Sequence, residues 1–519
     1  MDGMDRGAAP GPLRLAELLA SVSLATDLAT GQPPGHALRA CVIAVRLAEA
    51  MGCRPGDVRT VHQFALLRFL GCTGDAAETA ASVGGDDIAY NAALAPVLMG
   101  SAREQTLRHV RSVAPGQPQA RRLRLVARSL ADAGAPARSL SMHCEVAVML
   151  AGRAELEQPV VDALGHAYER WDGKGFPARL RGDAIPLAVR VAAVARDVDL
   201  AARRSEDPRE LLRARRGRGY DPAVVDAFES VGPDILAGSA GEDEWETALA
   251  CEPEPVVAVP FERLDDVLSA FADFADLKSP WIRGHSRAVA ALAETAGRHA
   301  GLDDIACVGL RRAGLVHDLG RVGVANGIWD KPAPLTTAEW ERVRLHPYST
   351  ERILARCGPL SALVEPASSH HERIDGSGYH RSLSAEAQSR ECRIVAAADV
   401  LAALVADRPH RPAFAVGAAV TMLEAEAGRT LDADAVACVL AAAGEREAPA
   451  PRAWPADLTD REVEVLRLVA RGASNRAVAE RLFISPKTVG RHVENVYAKI
   501  GVSSRAAAAV FAMAHGLLD

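Results

Sequence analysis

Apolar residues recur at the three-to-four-residue spacing of one helix face through 285–300, 303–319, 339–356 and 392–406. Period-two alternation, the mark of a half-buried strand, is not convincing anywhere. Start and stop signals frame the helical runs. Thr336 or Thr337 precedes AEWERVRLH, with Glu339 in its first turn. The last 64 residues divide into four short helices. Thr459-x-x-Glu462 forms a capping box before REVEVLRLVARG, and Ser474 caps NRAVAERL. Ser485 with Pro486 opens PKTVGRHVENVYAKIG, which stops at Gly501, and Ser503 or Ser504 caps RAAAAVFAMAHG. Near the start, Glu17 interrupts a Leu-rich stretch, which reads as a helix of a folded domain rather than a secretory signal. The pattern predicts an all-α chain.

The pattern also repeats. HALRACVIAVRLAEAMG (36–52) resembles HSRAVAALAETAGRHAG (285–301), and the same offset of 249 aligns ALLRFLGCTG (65–74) with GLVHDLGRVG (314–323). ERWDGKGFP (169–177) resembles ERIDGSGYH (372–380) at an offset of 203, which also pairs His143 with His346. The difference of 46 marks an insertion in the first copy between about 75 and 142. Its Arg-rich stretch RRLRLVAR (121–128) reads as a solvated helix face or, less simply, a nucleic-acid patch. Three domains follow: copy one at 12–235, copy two at 261–445 and a tail domain at 456–519. The segments 238–256 and 445–457 serve as linkers rich in Gly, Pro and Ala.

Composition and run length adjust this picture in four places. A hydrophobic fraction of 49% against 24% charged residues excludes a wholly disordered chain. Nine Cys, an odd number with no C-x-x-C pair, argue against a disulfide framework and fit a reducing cytoplasmic setting. No apolar run approaches the ~18 residues that a membrane span needs. The net charge of -7 excludes a basic coat but not a local basic face.

Copy two holds His285, the pair His317–Asp318, His346, the pair His370–His371, and Asp399. Imidazoles and carboxylates suit Fe, Mn, Zn or Co. The string HS…HDLGR…KP-x-P-LT-x-x-E…HP…HHERIDGSGY…AAADV…DRP resembles the HD-GYP family, a branch of the HD phosphohydrolase superfamily, over about 261–445. The resemblance implies an all-helical fold, two divalent metal ions (Fe or Mn) and hydrolysis of cyclic di-GMP or a related cyclic dinucleotide. It implies His285, His317, Asp318, His346, His370, His371 and Asp399 as ligands, with Asp318 bridging. Two metals about 3.5–4 Å apart neutralise a phosphodiester and lower the pKa of a bound water. Asp318 and Arg321 are the candidate catalytic residues. Gly376, Gly378, Tyr379, Arg408 and Arg411 are candidate ligand-binding residues, and Glu372 and Asp375 are candidate supports or caps. Three positions depart from the family pattern. Arg321 replaces a lysine, and an arginine is not a proton donor. His380 replaces the proline of GYP, and DRPHR stands for DRPYR.

Copy one keeps His36 and His143. Arg68 and Phe69 stand where copy two has His317 and Asp318, Ala167 and Tyr168 where it has His370 and His371, and Arg196 where it has Asp399. A dinuclear centre is excluded there, although DGKGFP retains the loop. The copy reads as a catalytically dead domain with a packing or regulatory role. Its two arginines either fill a vacated cation site or receive an anion without metal.

Between Ser474 and Arg505, six Lys or Arg face two Glu, a local balance of +4 in an acidic protein. LTDREVEVLRLVARGASNRAVAERLFISPKTVGRHVENVYAKIGVSSR resembles the LuxR-type (GerE-like) helix-turn-helix along its length. That resemblance implies double-stranded DNA as partner and a recognition helix at 486–499. Lys487, Thr488, Arg491, His492, Asn495 and Lys499 are the candidate DNA contacts, and Val489, Val493 and Val496 form the inner face. It also implies a homodimer on DNA, with Ala506–Phe511 as candidate dimer face. No P-loop, G-x-G-x-x-G, G-x-S-x-G or receiver-like βα repeat occurs. The chain therefore reads as a cytoplasmic transcription regulator whose metal-binding module hydrolyses a phosphodiester. The alternative is a regulator that binds a nucleotide there without turnover.

Overall fold

A computed structural model describes residues 13–98, 101–132, 134–237, 243–444, 454–482 and 484–518. Parts of both expected linkers, 238–242 and 445–453, lie outside these residues. Among the described residues the sheet content is one antiparallel pair, Leu13–Arg14 with Ala258–Val259. Everything else with regular structure is helical, as the apolar spacing requires.

The internal repeat appears as paired helices. Leu15–Thr30 corresponds to Leu264–Asp276, His36–Ala50 to His285–His299, Pro55–Leu67 to Asp304–Val316, and Leu187–Arg203 to Arg390–Leu404. One expectation changes. The run 339–356 is two helices, Thr337–Arg344 and His346–Leu354. Pro347 falls in the first turn of the second; lacking an N–H and crowding the preceding turn, it starts a helix better than it continues one. The Thr336–Glu339 capping box is present as expected.

The copies pack reciprocally. Helix Leu15–Thr30 touches its own helix Pro55–Leu67 and also the turn Leu319–Gly323 and helix His346–Leu354 of copy two. Helix Leu264–Asp276 touches its own helix Asp304–Val316 and also helix Ala135–Arg153 of copy one. A single apolar core runs through both. The insertion folds into helices Ala76–Val83, Asp87–Leu94, Ala102–Ser112 and Gln119–Ala131. The last of these buries no residue, as a solvated face should. The insertion also ties the copies together: Asp87 is ion-paired with the buried Lys278 and accepts from the Asn326 N–H at 2.8 Å.

The tail forms helices Asp460–Ala470, Asn475–Leu482, Pro486–Ile500 and Arg505–Ala514, opened by Thr459, Ser474, Ser485 and Ser504. It sits at the seam between the copies. Helix Arg505–Ala514 packs on helix Ala135–Arg153, and the Ser503 N–H donates to Glu145 Oε1 at 2.5 Å. Arg283 of copy two donates to the Ala470 carbonyl. The expected dimer face is thus not free in this chain: Ala506 to Val510 are all buried. Small residues that suit pairing with a second copy suit close packing on a neighbouring helix equally well. No described helix is long and apolar enough to cross a membrane.

Candidate metal centre

The fold gathers all seven predicted ligands. His285 heads its helix and places Nε2 3.0 Å from Asp399 Oδ1, on helix Arg390–Leu404. His317 Nε2 lies 3.6 Å from Asp318 Oδ2 and 3.9 Å from Asp399 Oδ1. His346 Nε2 is 3.3 Å and His370 Nε2 3.7 Å from Asp318 Oδ1, while His371 Nδ1 is 3.7 Å from Asp399 Oδ2. Three groups, His346–His370–His371, His285–His317–Asp399 and His317–Asp318–His370, each bring their donor atoms within 4.8 Å of one another. Asp318 therefore stands between two nitrogen-rich clusters, where a bridging carboxylate belongs.

Three of the histidines share one orienting device. Nδ1 of His317, His346 and His370 pairs with the carbonyl three residues earlier, at Gly314 (2.8 Å), Val343 (2.6 Å) and Ala367 (2.7 Å). An Nδ1–H donated to a carbonyl leaves the Nε2 lone pair facing the centre. Electrostatics agree. Burial, reinforced by His317 and His346, pushes His370 down to about 3, and burial with His370 pushes His371 well below the usual range. Burial alone would raise Asp318, but His317, Arg321 and His346 outweigh it and hold its carboxyl well below the usual value. Neutral imidazoles around ionised carboxylates are the protonation states a divalent cation requires. His317 Nε2 and Asp318 Oδ1 are buried without a hydrogen-bond partner. Such orphaned donors fit a metal ion better than a closed polar core.

Of the other predicted residues, Arg321 reaches the centre. Its Nη1 donates to Asp318 Oδ2 at 3.1 Å and its guanidinium stacks 3.6 Å from the Trp329 ring. Tyr379 lies against His371 with ring centroids 4.4 Å apart. Arg408 donates through Nη1 to the Trp281 carbonyl at 3.2 Å, and burial and Arg321 lower it to about 10. Arg411 is engaged elsewhere, donating to the carbonyls of Ala403 (2.7 Å) and Leu404 (3.2 Å) at the end of their helix.

Gly376 and Gly378 turn out to shape the loop. Glu372 accepts from the N–H groups of Arg381 (3.1 Å) and Leu383 (2.9 Å), which curls the loop so tightly that a Cβ on Gly378 would meet Glu372 Cα at 2.5 Å. Copy one repeats this: Glu169 accepts from Ala178 N–H at 2.7 Å, and a Cβ on Gly175 would meet Arg170 N at 2.4 Å. Sequence reasoning missed Trp329 and Thr350. Thr350 Oγ1 donates to the His317 carbonyl (2.8 Å) and accepts from Gly320 N–H (2.9 Å), holding the His-Asp turn. Neither residue type carries a signal of its own for such a role.

In copy one the surviving histidines are paired locally. His36 Nδ1 is 2.7 Å from Asp199 Oδ2, and His143 Nε2 is 2.7 Å from Asp75 Oδ1. Arg196 is ion-paired with Asp197, whereas Arg68 Nε and Nη1 are buried without partners.

On the tail, Lys487, Arg491 and Asn495 are exposed, Thr488 and His492 are half-buried, and Val489 and Val496 lie inside. Lys499 bonds Glu462 Oε2 at 2.7 Å and so braces the capping box of the first tail helix.

Comparison with known proteins places this geometry in a class. The model of the HD domain family matches residues 136–224 and 269–435, and that of bacterial regulatory proteins of the luxR family matches 456–512. The chain thus carries HD-domain sequence in both copies and a luxR-type domain behind them. It is 29% identical over 432 residues to the 3'3'-cGAMP-specific phosphodiesterase 3 of Vibrio cholerae, covering 82% of this chain and 94% of that one. A cyclic di-GMP phosphodiesterase of Pseudomonas aeruginosa is 39% identical over 137 residues, 26% of this chain and 33% of the relative. The crystal structure of a cyclic GMP-AMP-specific phosphodiesterase of V. cholerae superposes with a TM-score of 0.59 at 26% identity, over 84% of this chain and 99% of that one.

Proposed function

We propose that the chain is a DNA-binding transcription regulator whose second HD copy hydrolyses the phosphodiester of a cyclic dinucleotide. The observation that carries this reading is the gathering of five histidines and two aspartates into three overlapping donor groups, with buried donor atoms of His317 and Asp318 left unpartnered. Two relatives named as cyclic-dinucleotide phosphodiesterases support the substrate class. His285, His317, Asp318, His346, His370, His371 and Asp399 would hold two divalent ions; a donor set of imidazole and carboxylate suits Fe, Mn, Zn or Co, and the resemblance to the HD-GYP family selects Fe or Mn. When bound, such ions supply positive charge for the phosphate and acidify water. The chain's own residues do the rest. Arg321, fixed between Asp318 and Trp329, directs its remaining N–H groups as a cation that cannot give up a proton. Tyr379 covers His371 and narrows the approach to it. Arg408 adds positive charge near the centre for an anionic substrate.

On the tail, Lys487, Thr488, Arg491, His492 and Asn495 are the proposed DNA contacts. Lys499, engaged with Glu462, supports the helix from within. Pairing on a two-fold DNA site through Ala506–Phe511 requires helix Arg505–Ala514 to leave helix Ala135–Arg153.

The deciding experiment incubates Mn- or Fe-loaded protein with 3'3'-cGAMP, cyclic di-GMP and a simple phosphodiester, and follows linear products by chromatography. Conversion that disappears in the His317→Ala, Asp318→Ala variant supports the reading. Tight binding with no product from any of the three replaces hydrolysis by nucleotide sensing.

A further inference from the structure

The vacated site of copy one is not filled in. A cavity of about 610 Å³ opens there, and its wall includes His36, Phe69, His143, Tyr168 and Arg196, the equivalents of five of copy two's seven ligands. The opposite wall comes from the insertion that copy two lacks, through Tyr90, His109, Leu125 and Arg128. A domain that had merely lost its metals would be expected to close the gap with apolar side chains. Here 46 additional residues fold across it instead.

The chemistry of the wall is mixed in an informative way. Three aromatic rings, Phe69, Tyr90 and Tyr168, border the cavity. The Arg68 guanidinium lies 5.9 Å from the Phe69 ring and 6.0 Å from the Tyr168 ring. Arg68 is 9% exposed, and its Nε and Nη1 have no partner. Burial and the nearby Arg196 lower it to about 10. Arg196 is on the wall, engaged with Asp197 and the Ala95 carbonyl, and Arg68 lies behind the Phe69 and Tyr168 rings with its Nε and Nη1 unpartnered. The carboxylates on the wall do not neutralise Arg68: Asp75 pairs with His143, Asp132 with Arg138, and Glu78 is exposed. Buried N–H groups of a cation are costly until an anion accepts from them. The rings offer a π-face to a base.

We propose that the first HD copy is a metal-free receptor for an anionic nucleotide, with Arg68 and Arg196 taking the phosphate and the rings of Phe69, Tyr90 and Tyr168 bordering the base. With Arg and Phe in place of the His-Asp pair there is no ligand set to activate water, so the nucleotide is bound and not cleaved. Helix Ala135–Arg153 contributes His143 to this cavity and packs on the tail helix Arg505–Ala514, so one element touches both the receptor site and the DNA-binding domain.

The test uses the full chain with His317→Ala and Asp318→Ala, which disables the second-copy site. Calorimetric titration with 3'3'-cGAMP, a linear dinucleotide, GMP and guanosine should show one equivalent of a phosphate-bearing probe bound per chain. Guanosine should bind about tenfold or more weakly, because the charge-assisted hydrogen bonds are lost. Adding Arg68→Met, or filling the cavity with Leu125→Trp, should each weaken binding about tenfold or more. Thermal melting checks that each variant is folded. If Arg68→Met does not melt cooperatively, Leu125→Trp, on a helix with no buried residue, decides. Absence of binding by every phosphate-bearing probe at millimolar concentration overturns the proposal. So does binding that ignores both substitutions, and guanosine binding as tightly as GMP removes the anion site. Hydrolysis by the unsubstituted chain is read separately, so a failed receptor and a failed second-copy enzyme are distinguishable.

Discussion

The two HD copies fold alike and differ where chemistry would occur. Both hold a curled DG-x-G loop, clamped by Glu372 in one and Glu169 in the other. Both need a glycine after the His-Asp or Arg-Phe turn: a Cβ on Gly320 would meet the His346 carbonyl oxygen at 2.1 Å, and one on Gly71 the His143 carbonyl oxygen at 1.9 Å. The copies part at the ligands. In copy two His285 faces Asp399; in copy one the equivalent His36 faces Asp199 instead. The shared loop and glycine are therefore held by the fold, whereas the positions that change, the His-Asp pair among them, are proposed metal ligands.

The largest effect that can break this contrast lies in copy two. Asp318→Ala should abolish metal loading, measured by elemental analysis, and lower phosphodiester turnover by at least about 1000-fold, since the charge stabilisation and the activated water go together. The converse change, Arg68→His with Phe69→Asp, should leave metal content per chain unchanged, because Ala167, Tyr168 and Arg196 still lack donors suited to a cation. Extra metal in that variant would mean that copy one is one step from a working site rather than several. Next in size is Arg321→Ala. Removing a cation that bonds the Asp318 carboxylate should cost about 10–100-fold in turnover, with metal affinity read in parallel. An unchanged rate would make Arg321 a packing partner of Trp329 alone.

A smaller effect tests the structural half of the contrast. Gly175→Ala, in the copy that lacks most of the proposed ligands, should destabilise the chain by about 1–3 kcal/mol in urea unfolding, because the new Cβ overlaps the Arg170 backbone. If stability is unchanged, the loop persists in copy one for a reason other than its fold.

How much of this was legible in the sequence follows from the kind of signal each feature leaves. The repeat and the helices were legible in matched offsets and helical apolar spacing, and the seven proposed ligands in the resemblance that HDLGR and HHERIDGSGY carry. The break before His346 was marked by Pro347, whose meaning depends on whether the chain turns there. What could not be read was tertiary. His36 and Asp199 are 163 residues apart, and the pairing left no periodic trace. The insertion looked like a solvated arm because helix Gln119–Ala131 is one, yet its Leu125 and Arg128 border a cavity. Ala506–Phe511 read as a dimer face because small apolar residues do not say which partner they pack against.

The tail domain carries the same contrast at its smallest scale, between two cations on helix Pro486–Ile500. Arg491 is exposed, whereas Lys499 bonds Glu462 at 2.7 Å and the Asp457 carbonyl at 2.9 Å. Arg491→Ala should cost about 1–3 kcal/mol on the cognate site and less on random DNA, if it reads a base edge. Equal loss on both would make it a phosphate contact. Lys499→Ala should instead lower the unfolding stability of the tail by about 0.5 kcal/mol, the usual worth of a partly exposed ion pair. It should leave the salt dependence of DNA binding unchanged, because a lysine held by a carboxylate releases no counterion from DNA. A reduced salt slope for Lys499→Ala would show that DNA draws the lysine away from Glu462, and would move it from the helix's support to its reading face.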